Sequence, residues 1–214
     1  DLLTYDKDII NILLVGSDKR ADWSESGRSD STMIATLDLK HKRLKLTSLM
    51  RDMYVPIPMN GENRFNAAYS LGGVKLLYET IATNFGIKLD GYVIVDFKAF
   101  QEVIDTIGGV EINLTDKEYK YLTTAYHRGT VLEVKPGLNN LNGEQALAYS
   151  RIRQREVDAQ GDFGRTRRQR DILQSIFSKA KGMPFSELMK LTETIMPYLA
   201  TDLTNKEILS YIKS

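Results

Sequence analysis

IINILLV, residues 9–15, is a short apolar run rich in branched side chains, and Gly16 bounds it. This length and composition predict a buried strand. Two further strands are predicted from Met33 to Leu39 and from Arg43 to Leu49, joined by a hairpin turn at residues 40–42. The beginning of the chain is therefore predicted to place three strands in one sheet.

Farther along the chain, helical and strand patterns alternate. Helices are predicted over residues 73–84, 98–107, 165–180, 185–198 and 205–212, and strands over residues 92–95 and 110–114. This alternation is typical of an α/β protein with one central mixed β-sheet and helices on both faces. Neither a repeat nor a clear linker divides the sequence, so a single domain over residues 1–214 is predicted.

The composition narrows the class of protein. Of the 214 residues, 42% are hydrophobic and 27% are charged, which is typical of a globular domain. A net charge of only +1 argues against a nucleic-acid binder that relies on a broad positive field. The chain has no cysteine, which excludes disulfides and thiol chemistry. It contains no run of about 18 apolar residues and begins at Asp1 rather than Met, so we expect an upstream segment that carries a signal or anchor.

Common catalytic motifs are missing from the sequence. Neither a GxxxxGK[ST] loop nor a GxGxxG turn follows a predicted strand, which argues against both nucleotide-binding folds. Neither HExxH nor a Cys/His cluster is present for zinc, and a GxSxG nucleophile elbow is absent. The chemistry of this chain must therefore be sought in other residues.

The stretch Tyr149–Arg170, YSRIRQREVDAQGDFGRTRRQR, holds seven of the thirteen arginines. They are Arg151, Arg153, Arg155, Arg165, Arg167, Arg168 and Arg170. Between Pro136 and Ser178 there is no lysine. Guanidinium is a planar fork that holds phosphate or carboxylate through two hydrogen bonds, whereas ammonium is a point charge. The preference for arginine favours an anion-binding site over a merely solvated surface.

The spacing within this stretch adds detail. A helix is predicted to start at Asn142–Glu144, and Arg151 and Arg153 follow it. The two arginines point to one side if the chain is extended there and diverge if it is helical. Residues 161–164 are predicted to break the chain before a helix that begins near Arg165, in whose first turn free N–H groups also attract anions.

On that helix Arg165, Arg168 and Gln169 are predicted to share a face with Ile172 and Ile176. Such closely spaced like charges need negative partners, which Asp158, Asp162 and a bound anion would provide. The alternative is a solvated basic helix stabilised by Asp/Glu pairs.

Acidic residues lie next to the predicted strands near the start of the chain. Asp18 and Asp30 are separated by a polar loop, and Arg51-Asp52 follows the third strand. Ligand groups collect at strand ends in α/β folds, and carboxylate oxygens suit a hard cation such as Mg²⁺. The alternative is that both aspartates are turn formers or helix caps.

Taken together, the motifs resemble the LytR–CpsA–Psr family of bacterial cell-wall proteins over nearly the whole chain. The matching segments are NILLVGSDKR (11–20), RSDSTMIATLD (28–38), SLMRDMYVPIP (48–58), RFNAAY (64–69), IGGVEINL (107–114), LNGEQALAYSRIR (141–153) and GDFGRTRRQRDIL (161–173). The resemblance implies an α-β-α sandwich with an apolar lipid tunnel. It also implies an N-terminal membrane helix outside this sequence and a position on the extracellular face of the cell membrane.

The family resemblance implies a chemistry as well. Members move a glycopolymer from a polyprenyl-pyrophosphate carrier onto peptidoglycan and release polyprenyl phosphate, with Mg²⁺ or alternatively Mn²⁺. The resemblance assigns the metal to Asp18 and Asp30 and the pyrophosphate to Arg51, Arg151, Arg153, Asp162, Arg165 and Gln169. Asp162 is expected to orient the arginines. Asp52, next to Arg51, is the first candidate for the general base, which places it with Arg51, Arg151, Arg153 and Arg165 in the predicted catalytic set.

Two departures from the family pattern and two alternative functions accompany this prediction. RFNAAY carries Arg64 where many relatives have Lys, and the segment after Arg153 is longer than in some relatives, which leaves the places of Arg155 and Asp158 open.

One alternative function is that of a polyprenyl-pyrophosphate-binding protein or pyrophosphatase without transfer. The other is a regulatory nucleic-acid binder, but the near-neutral charge favours a chain with no nucleic-acid partner. Teichoic acid, capsular polysaccharide and other glycopolymers remain alternative substrates.

Overall fold

A computed structural model describes residues 3, 6–17, 29–124 and 132–213 of the chain. The strands are β1 Ile9–Ser17, β2 Ser29–Asp38, β3 Arg43–Leu49, β4 Tyr54–Ile57, β5 Gly61–Arg64, β6 Gly91–Val95, β7 Val110–Leu114, β8 Gly137–Leu141 and β9 Ala200–Thr201. The helices are α1 Ala67–Phe85, α2 Phe97–Thr106, α3 Asp116–Thr124, α4 Gly143–Ser150, α5 Asp162–Gly182, α6 Phe185–Ile195 and α7 Asn205–Lys213, with a 3₁₀ turn at Met196–Tyr198.

The chain divides into two compact units. The first contains residues 1–98, 199–212 and 214, and the second contains residues 99–198 and 213. The prediction of a single domain over residues 1–214 stays a prediction.

The first unit is built around a five-stranded sheet in the order β3-β2-β1-β6-β9. β1 pairs with β6 in parallel, whereas its pairing with β2 is antiparallel, as are the pairs β2–β3 and β6–β9. The predicted mixed sheet is therefore confirmed, and the three strands predicted at the start of the chain form one of its sides.

Side chains of β1 alternate between two apolar cores because successive residues of a strand point to opposite faces. Leu13 and Val15 pack in a cluster with Leu77 and Ile81 of α1. Ile12 belongs to a second cluster, which Ile208 and Tyr211 of α7 cover. The central sheet thus has helices on both faces, as the sequence predicted.

The second unit contains a two-stranded antiparallel sheet, β7–β8, with Val110 opposite Leu141. Its core joins this ribbon to the surrounding helices through Ile104 of α2, Leu122 of α3 and Ile172 of α5, all of which are fully buried. The strand predicted at residues 110–114 has the predicted bounds. It pairs with β8 in a two-stranded ribbon outside the central mixed sheet, and β4 and β5 form a second such ribbon.

The helices α1, α3 and α5 depart most from the prediction. α1 begins at Ala67, and Gly72 and Gly73 interrupt it; only its second part coincides with the predicted helix. Gly73 has a φ of 62°, a left-handed conformation that glycine adopts without a steric penalty. α3 occupies a polar segment that had no clear pattern, and α5 starts three residues before the predicted Arg165.

Candidate functional site

The start of α4 sets the direction of the chain that leads to the first arginines. The Asn142 side chain accepts a hydrogen bond from the Gln145 amide at 2.9 Å, and the Gln145 side chain accepts one from the Asn142 amide at 3.0 Å. This reciprocal capping box satisfies two backbone donors at the helix start. The Gly143 amide also donates to the Asp105 carboxylate at 2.7 Å, which ties α4 to the end of α2.

Arg151 and Arg153 flank a residue that belongs to the core. α4 ends at Ser150, and Ile152 is fully buried between two exposed arginines. Arg151, the residue that follows α4, has a helical backbone conformation (φ −100°, ψ −1°), so the segment is not extended throughout. The structure exposes both arginines, and their convergence on one side of the chain stays a prediction.

α5 carries the second group of predicted residues. Gly161, with a φ of 54°, precedes the helix, and the Arg165 amide already donates to the Gly161 carbonyl at 3.1 Å. The prediction that residues 161–164 break the chain and that Arg165 lies among free N–H groups was therefore wrong in detail. Helical geometry begins at Asp162, so the Arg165 amide is the first with an intrahelical partner.

The Arg165 side chain is only 3% exposed, and its Nη2 lies 3.5 Å from Oδ2 of Asp162. This ion pair accords with the expectation that Asp162 orients arginines. Gln169 follows Arg165 at i+4 on α5, so the two side chains share a face of the helix. Ile172, on the same side, is fully buried, which confirms the predicted face.

Arg168 has a different environment from the exposed arginines. Its guanidinium donates from Nε to the Glu118 carboxylate at 2.7 Å, from Nη1 to the Ile152 carbonyl at 3.3 Å and from Nη2 to Asp158 Oδ2 at 3.2 Å. Arg167 also donates to Asp158 Oδ2, at 3.1 Å. The position of Asp158, which the sequence left open, is thus beside α5.

Glu118 was not among the residues predicted to form the site. Glu118 Oε2 accepts hydrogen bonds from the Thr115 amide at 3.0 Å and from the Thr115 hydroxyl at 2.9 Å. The pattern Thr115-x-x-Glu118 is a capping-box signature, so the start of α3 was detectable from sequence. The partnership with Arg168 was not, because it joins positions 50 residues apart.

Two further acidic or phenolic groups lie near this network. Burial raises the pKa of Tyr149, and the carboxylates of Glu118 and Asp171 raise it further. The Arg168 guanidinium lies 5.9 Å from the centre of the Tyr149 ring. Burial also raises the pKa of Asp171, although Arg167 and Arg170 act in the opposite direction.

Arg51 and Asp52 lie in the first unit, in the turn between β3 and β4. The turn is tied to the motif that starts α1, because the Arg51 carbonyl accepts from the Asn66 amide at 3.1 Å and the Met53 carbonyl accepts from the Phe65 amide at 2.7 Å. Asp52 is exposed and Arg51 is partly buried. The structure thus joins two of the family-like motifs, and the convergence of Arg51 with the arginines of the second unit stays a prediction.

The predicted metal ligands lie only partly within the described residues. Asp18 lies outside them, and of Asp30 the backbone alone is described, within β2. The pairing shifts between Gly16 opposite Ser31 and Ser17 opposite Ser29, so Asp30 is the extra residue of a β-bulge. Among the described residues, no group of three or more His, Cys, Asp or Glu side chains is arranged to hold a metal.

The surroundings of the bulge fit a hard cation. The Ser29 hydroxyl is buried, and it has no hydrogen-bond partner within the described ranges. Oxygen donors such as this hydroxyl and the carboxylates of Asp18 and Asp30 are the ligand type that Mg²⁺ prefers. Asp18 directly follows Ser17, whose partner in the sheet is Ser29. The chemistry of this donor set therefore fits Mg²⁺.

None of the helices in the described part of the chain is both long and apolar enough to cross a bilayer.

The sequence pattern of the LytR_cpsA_psr family matches residues 3–214 of this chain. Regulatory protein MsrR of Staphylococcus aureus is 39% identical over 184 residues, which cover 85% of this chain and 52% of MsrR. The polyisoprenyl-teichoic acid–peptidoglycan teichoic acid transferase TagU of Bacillus mycoides is 33% identical over 209 residues, which cover 96% of this chain and 64% of TagU. The chain thus spans about half the length of MsrR and less than two thirds of TagU.

A solved structure shows the same fold. The LytR-CPS2A-psr family protein YwtF (TagT) of Bacillus subtilis, with bound octaprenyl pyrophosphate lipid, superposes with a TM-score of 0.75 at 29% identity. The alignment covers 99% of this chain and 76% of that chain. On the family match over residues 3–214, this chain belongs to the LytR_cpsA_psr family.

Proposed function

We propose that this chain is the catalytic domain of a phosphotransferase that moves a glycopolymer from a polyprenyl-pyrophosphate carrier onto peptidoglycan. The observation that carries the proposal is that Arg151 and Arg153 are both exposed, two positions apart, on either side of the buried Ile152. Two neighbouring guanidinium forks suit the oxygens of a pyrophosphate. The name of TagU and the lipid bound to YwtF (TagT) describe such a donor and such a transfer in relatives.

In the proposed reaction an acceptor hydroxyl of peptidoglycan attacks the glycan-side phosphorus. A new P–O bond forms to the acceptor, the bond from that phosphorus to the bridging oxygen breaks, and polyprenyl phosphate leaves with the bond's electron pair. Asp52 takes the hydroxyl proton as the general base. The arginines Arg51, Arg151, Arg153 and Arg165 neutralise the charge that develops on the leaving phosphate.

The remaining residues of the site hold and orient these groups. Asp162 orients Arg165 through its ion pair, and Gln169 binds a phosphate oxygen from the same helix face. Asp18 and Asp30 would hold Mg²⁺, or alternatively Mn²⁺, whose positive charge would polarise the phosphoryl oxygens. The prenyl tail occupies an apolar tunnel. We also place the domain on the extracellular face of the cell membrane, held there by a helix outside this sequence.

A reconstituted transfer assay tests the proposal. Polyprenyl-pyrophosphate-linked glycan and peptidoglycan are supplied together, and we expect glycan phosphate on peptidoglycan with an equal amount of polyprenyl phosphate released. Arg51→Ala should lower the rate by about 10²-fold to 10³-fold, by analogy with the loss of an oxyanion donor. A wild-type rate in a folded Arg51→Ala variant would remove Arg51 from the site.

The same assay decides between transfer and hydrolysis. If polyprenyl phosphate appears at the same rate without peptidoglycan, the chain is a pyrophosphatase. Binding of the lipid without any product identifies a carrier-lipid-binding protein. Chelation with EDTA should abolish transfer, and Mg²⁺ should restore it in the wild type but not in Asp18→Asn or Asp30→Asn. Full transfer in the presence of EDTA would exclude the metal from the proposal.

A further inference from the structure

We propose that Arg168 is a positioning residue that sets the backbone between Arg151 and Arg153 and thereby the spacing of the two phosphate-binding guanidinium groups. This inference rests on the proposed function, since it assigns a role within the same site. Arg168 lies on α5, 1% exposed, and holds three groups that come from three different parts of the second unit.

The first of these groups is an anchor that is itself fixed. Glu118 is 2% exposed, and its Oε2 is occupied by the amide and hydroxyl of Thr115 at the start of α3. Its Oε1 is therefore the oxygen that faces Arg168, at 2.7 Å from Nε. A carboxylate held by a helix cap gives the guanidinium one defined orientation, because the arginine fork is planar.

The second group is the Ile152 carbonyl, which accepts from Arg168 Nη1 at 3.3 Å. The Ile152 side chain is fully buried in the core of the second unit, and its amide donates to the Tyr149 carbonyl at 3.3 Å. The side chain, the amide and the carbonyl of Ile152 are thus all held by contacts within the second unit. Arg151 and Arg153 are joined to Ile152 by planar peptide bonds, so a rotation at Ile152 would move both guanidinium groups.

The third group is Asp158, in the loop that connects Arg153 to α5. Its Oδ2 accepts from both Arg168 and Arg167, and its Oδ1 accepts from the Gln160 amide at 3.0 Å. A β-carbon at Gly164 would overlap the Asp158 carboxylate, so glycine at this helix position makes room for it. The loop on the far side of Arg153 is therefore held by the same guanidinium.

The energetics favour a positioning role over a stabilising one. Removing two charges from water costs about as much as their attraction returns, so a well-packed apolar group of the same volume is often equally stable. An apolar group would not hold a carbonyl and two carboxylates in a fixed arrangement. The charges of Glu118 and Asp158 are balanced by Arg168 and Arg167.

The test compares two cations on the same helix. Arg168→Lys keeps the charge, but one ammonium does not reproduce the three-sided contact of the fork. Lys179→Met is the matched control: Lys179 donates to the carbonyls of Gly108 and Gly109 at 2.9 Å each, about 16 Å along α5 from Arg168. Binding of octaprenyl pyrophosphate with Mg²⁺ and of octaprenol is measured in detergent, together with Tm.

We expect Arg168→Lys to weaken octaprenyl pyrophosphate binding by about 10-fold to 100-fold, because small displacements of positioning groups have effects of this size. Octaprenol binding should stay unchanged, and Lys179→Met should bind both lipids as the wild type does. The proposal is overturned if Arg168→Lys and Lys179→Met lose the same amount of octaprenyl pyrophosphate binding and lower Tm equally. The loss of binding would then follow from lower stability and not from the position of Arg168. If Arg168→Lys does not fold, Glu118→Gln, which keeps the shape of the anchor, must show the same selective loss.

The outcome also separates this inference from the proposed function. A wild-type protein that does not bind octaprenyl pyrophosphate would overturn the proposed function. If the wild type binds it, Arg151→Ala and Arg153→Ala lose binding and Arg168→Lys does not, the proposed function stands and the positioning role is wrong.

Discussion

The segment after α4 and the inner face of α5 both present arginines, but in opposite environments. Arg151 and Arg153 are exposed on either side of a buried isoleucine, whereas Arg165 and Arg168 are 3% and 1% exposed. Residue type therefore does not define the role of an arginine in this stretch. In the buried pair, Arg165 contacts Asp162, and Arg168 contacts Glu118 and Asp158.

The largest difference between the two regions should appear in stability. Arg168→Met removes the cation from two carboxylates, and breaking a buried pair in this way lowers the free energy of unfolding by about 3–5 kcal/mol. Arg151→Met, on the exposed side, should change it by no more than about 0.5 kcal/mol. Urea unfolding followed by circular dichroism measures both. Similar values for the two variants would abolish the distinction between the regions.

The transfer rate should depend more on the exposed arginines than on Arg168, the reverse of the order expected for stability. We expect Arg151→Ala and Arg153→Ala to lose about 2–4 kcal/mol of transition-state stabilisation, because each removes a donor to the developing charge. Their unfolding curves should match that of the wild type. The measurement is the transfer rate at saturating lipid-linked glycan, with Arg155→Ala, another exposed arginine of the stretch, as the comparison variant. Unimpaired transfer by both variants would show that the exposed pair does not serve the reaction.

Two glycines of α5 sharpen the comparison within one helix. Replacing a helical glycine by alanine stabilises a protein by about 0.4–1 kcal/mol where the conformation allows it, and Gly182, with open space around it, should follow this rule. Gly164→Ala should instead destabilise by about 1–3 kcal/mol, because the new methyl group displaces the Asp158 carboxylate. Thermal unfolding of the two variants measures both changes in stability. If Gly164→Ala stabilises the protein, the Asp158 carboxylate has room to move.

The smallest expected effect concerns Asp171. Burial raises its pKa in the folded chain above 3.8, so the folded state keeps this proton to a higher pH than the unfolded state. The contribution of Asp171 to stability is thus complete below pH 3.8 and is lost as the pH rises through the folded pKa. Asp171→Asn removes this loss, and we expect Tm at neutral pH to rise by about 2 °C.

The control for this prediction is Glu193→Gln on the exposed side of α6, which should leave Tm at neutral pH as it is in the wild type. Tm is measured from pH 3 to pH 8, a range that begins below the ordinary pKa of an aspartate. A lower Tm for Asp171→Asn at neutral pH would show that its attraction to Arg167 and Arg170 outweighs burial.

Much of the fold was predictable because its elements have strong local signals. The branched apolar run at residues 9–15 became β1, the glycine pair Gly108-Gly109 ended α2, and the start predicted at Asn142 is a complete capping box. β4, β5, β8, β9 and α3 were missed. The strands are two to five residues long, too short for a clear alternation, and α3 is polar, although the capping-box pattern at Thr115 marks its start.

For the candidate site, the sequence offered residue types and helical spacing but no contacts between distant positions. Arginine without lysine between Pro136 and Ser178 predicted an anion-binding stretch, and the helical spacing predicted the inner face of α5. The helical spacing alone did not distinguish Arg168 from Arg165 on that face. Nor did it indicate Glu118, because a glutamate at the third position of a helix has the same local pattern whether or not an arginine faces it.

The amino-acid sequence by itself determined the family of this protein, the alternation of strands and helices, and the set of cationic and acidic residues available for chemistry. Only the tertiary structure decided which arginines face solvent and which are paired inside. The physical reason is that local signals extend over one or two turns of chain, whereas the charge balance of Arg168 depends on a carboxylate 50 residues away. The environment of a buried charge is set by whatever folding brings beside it.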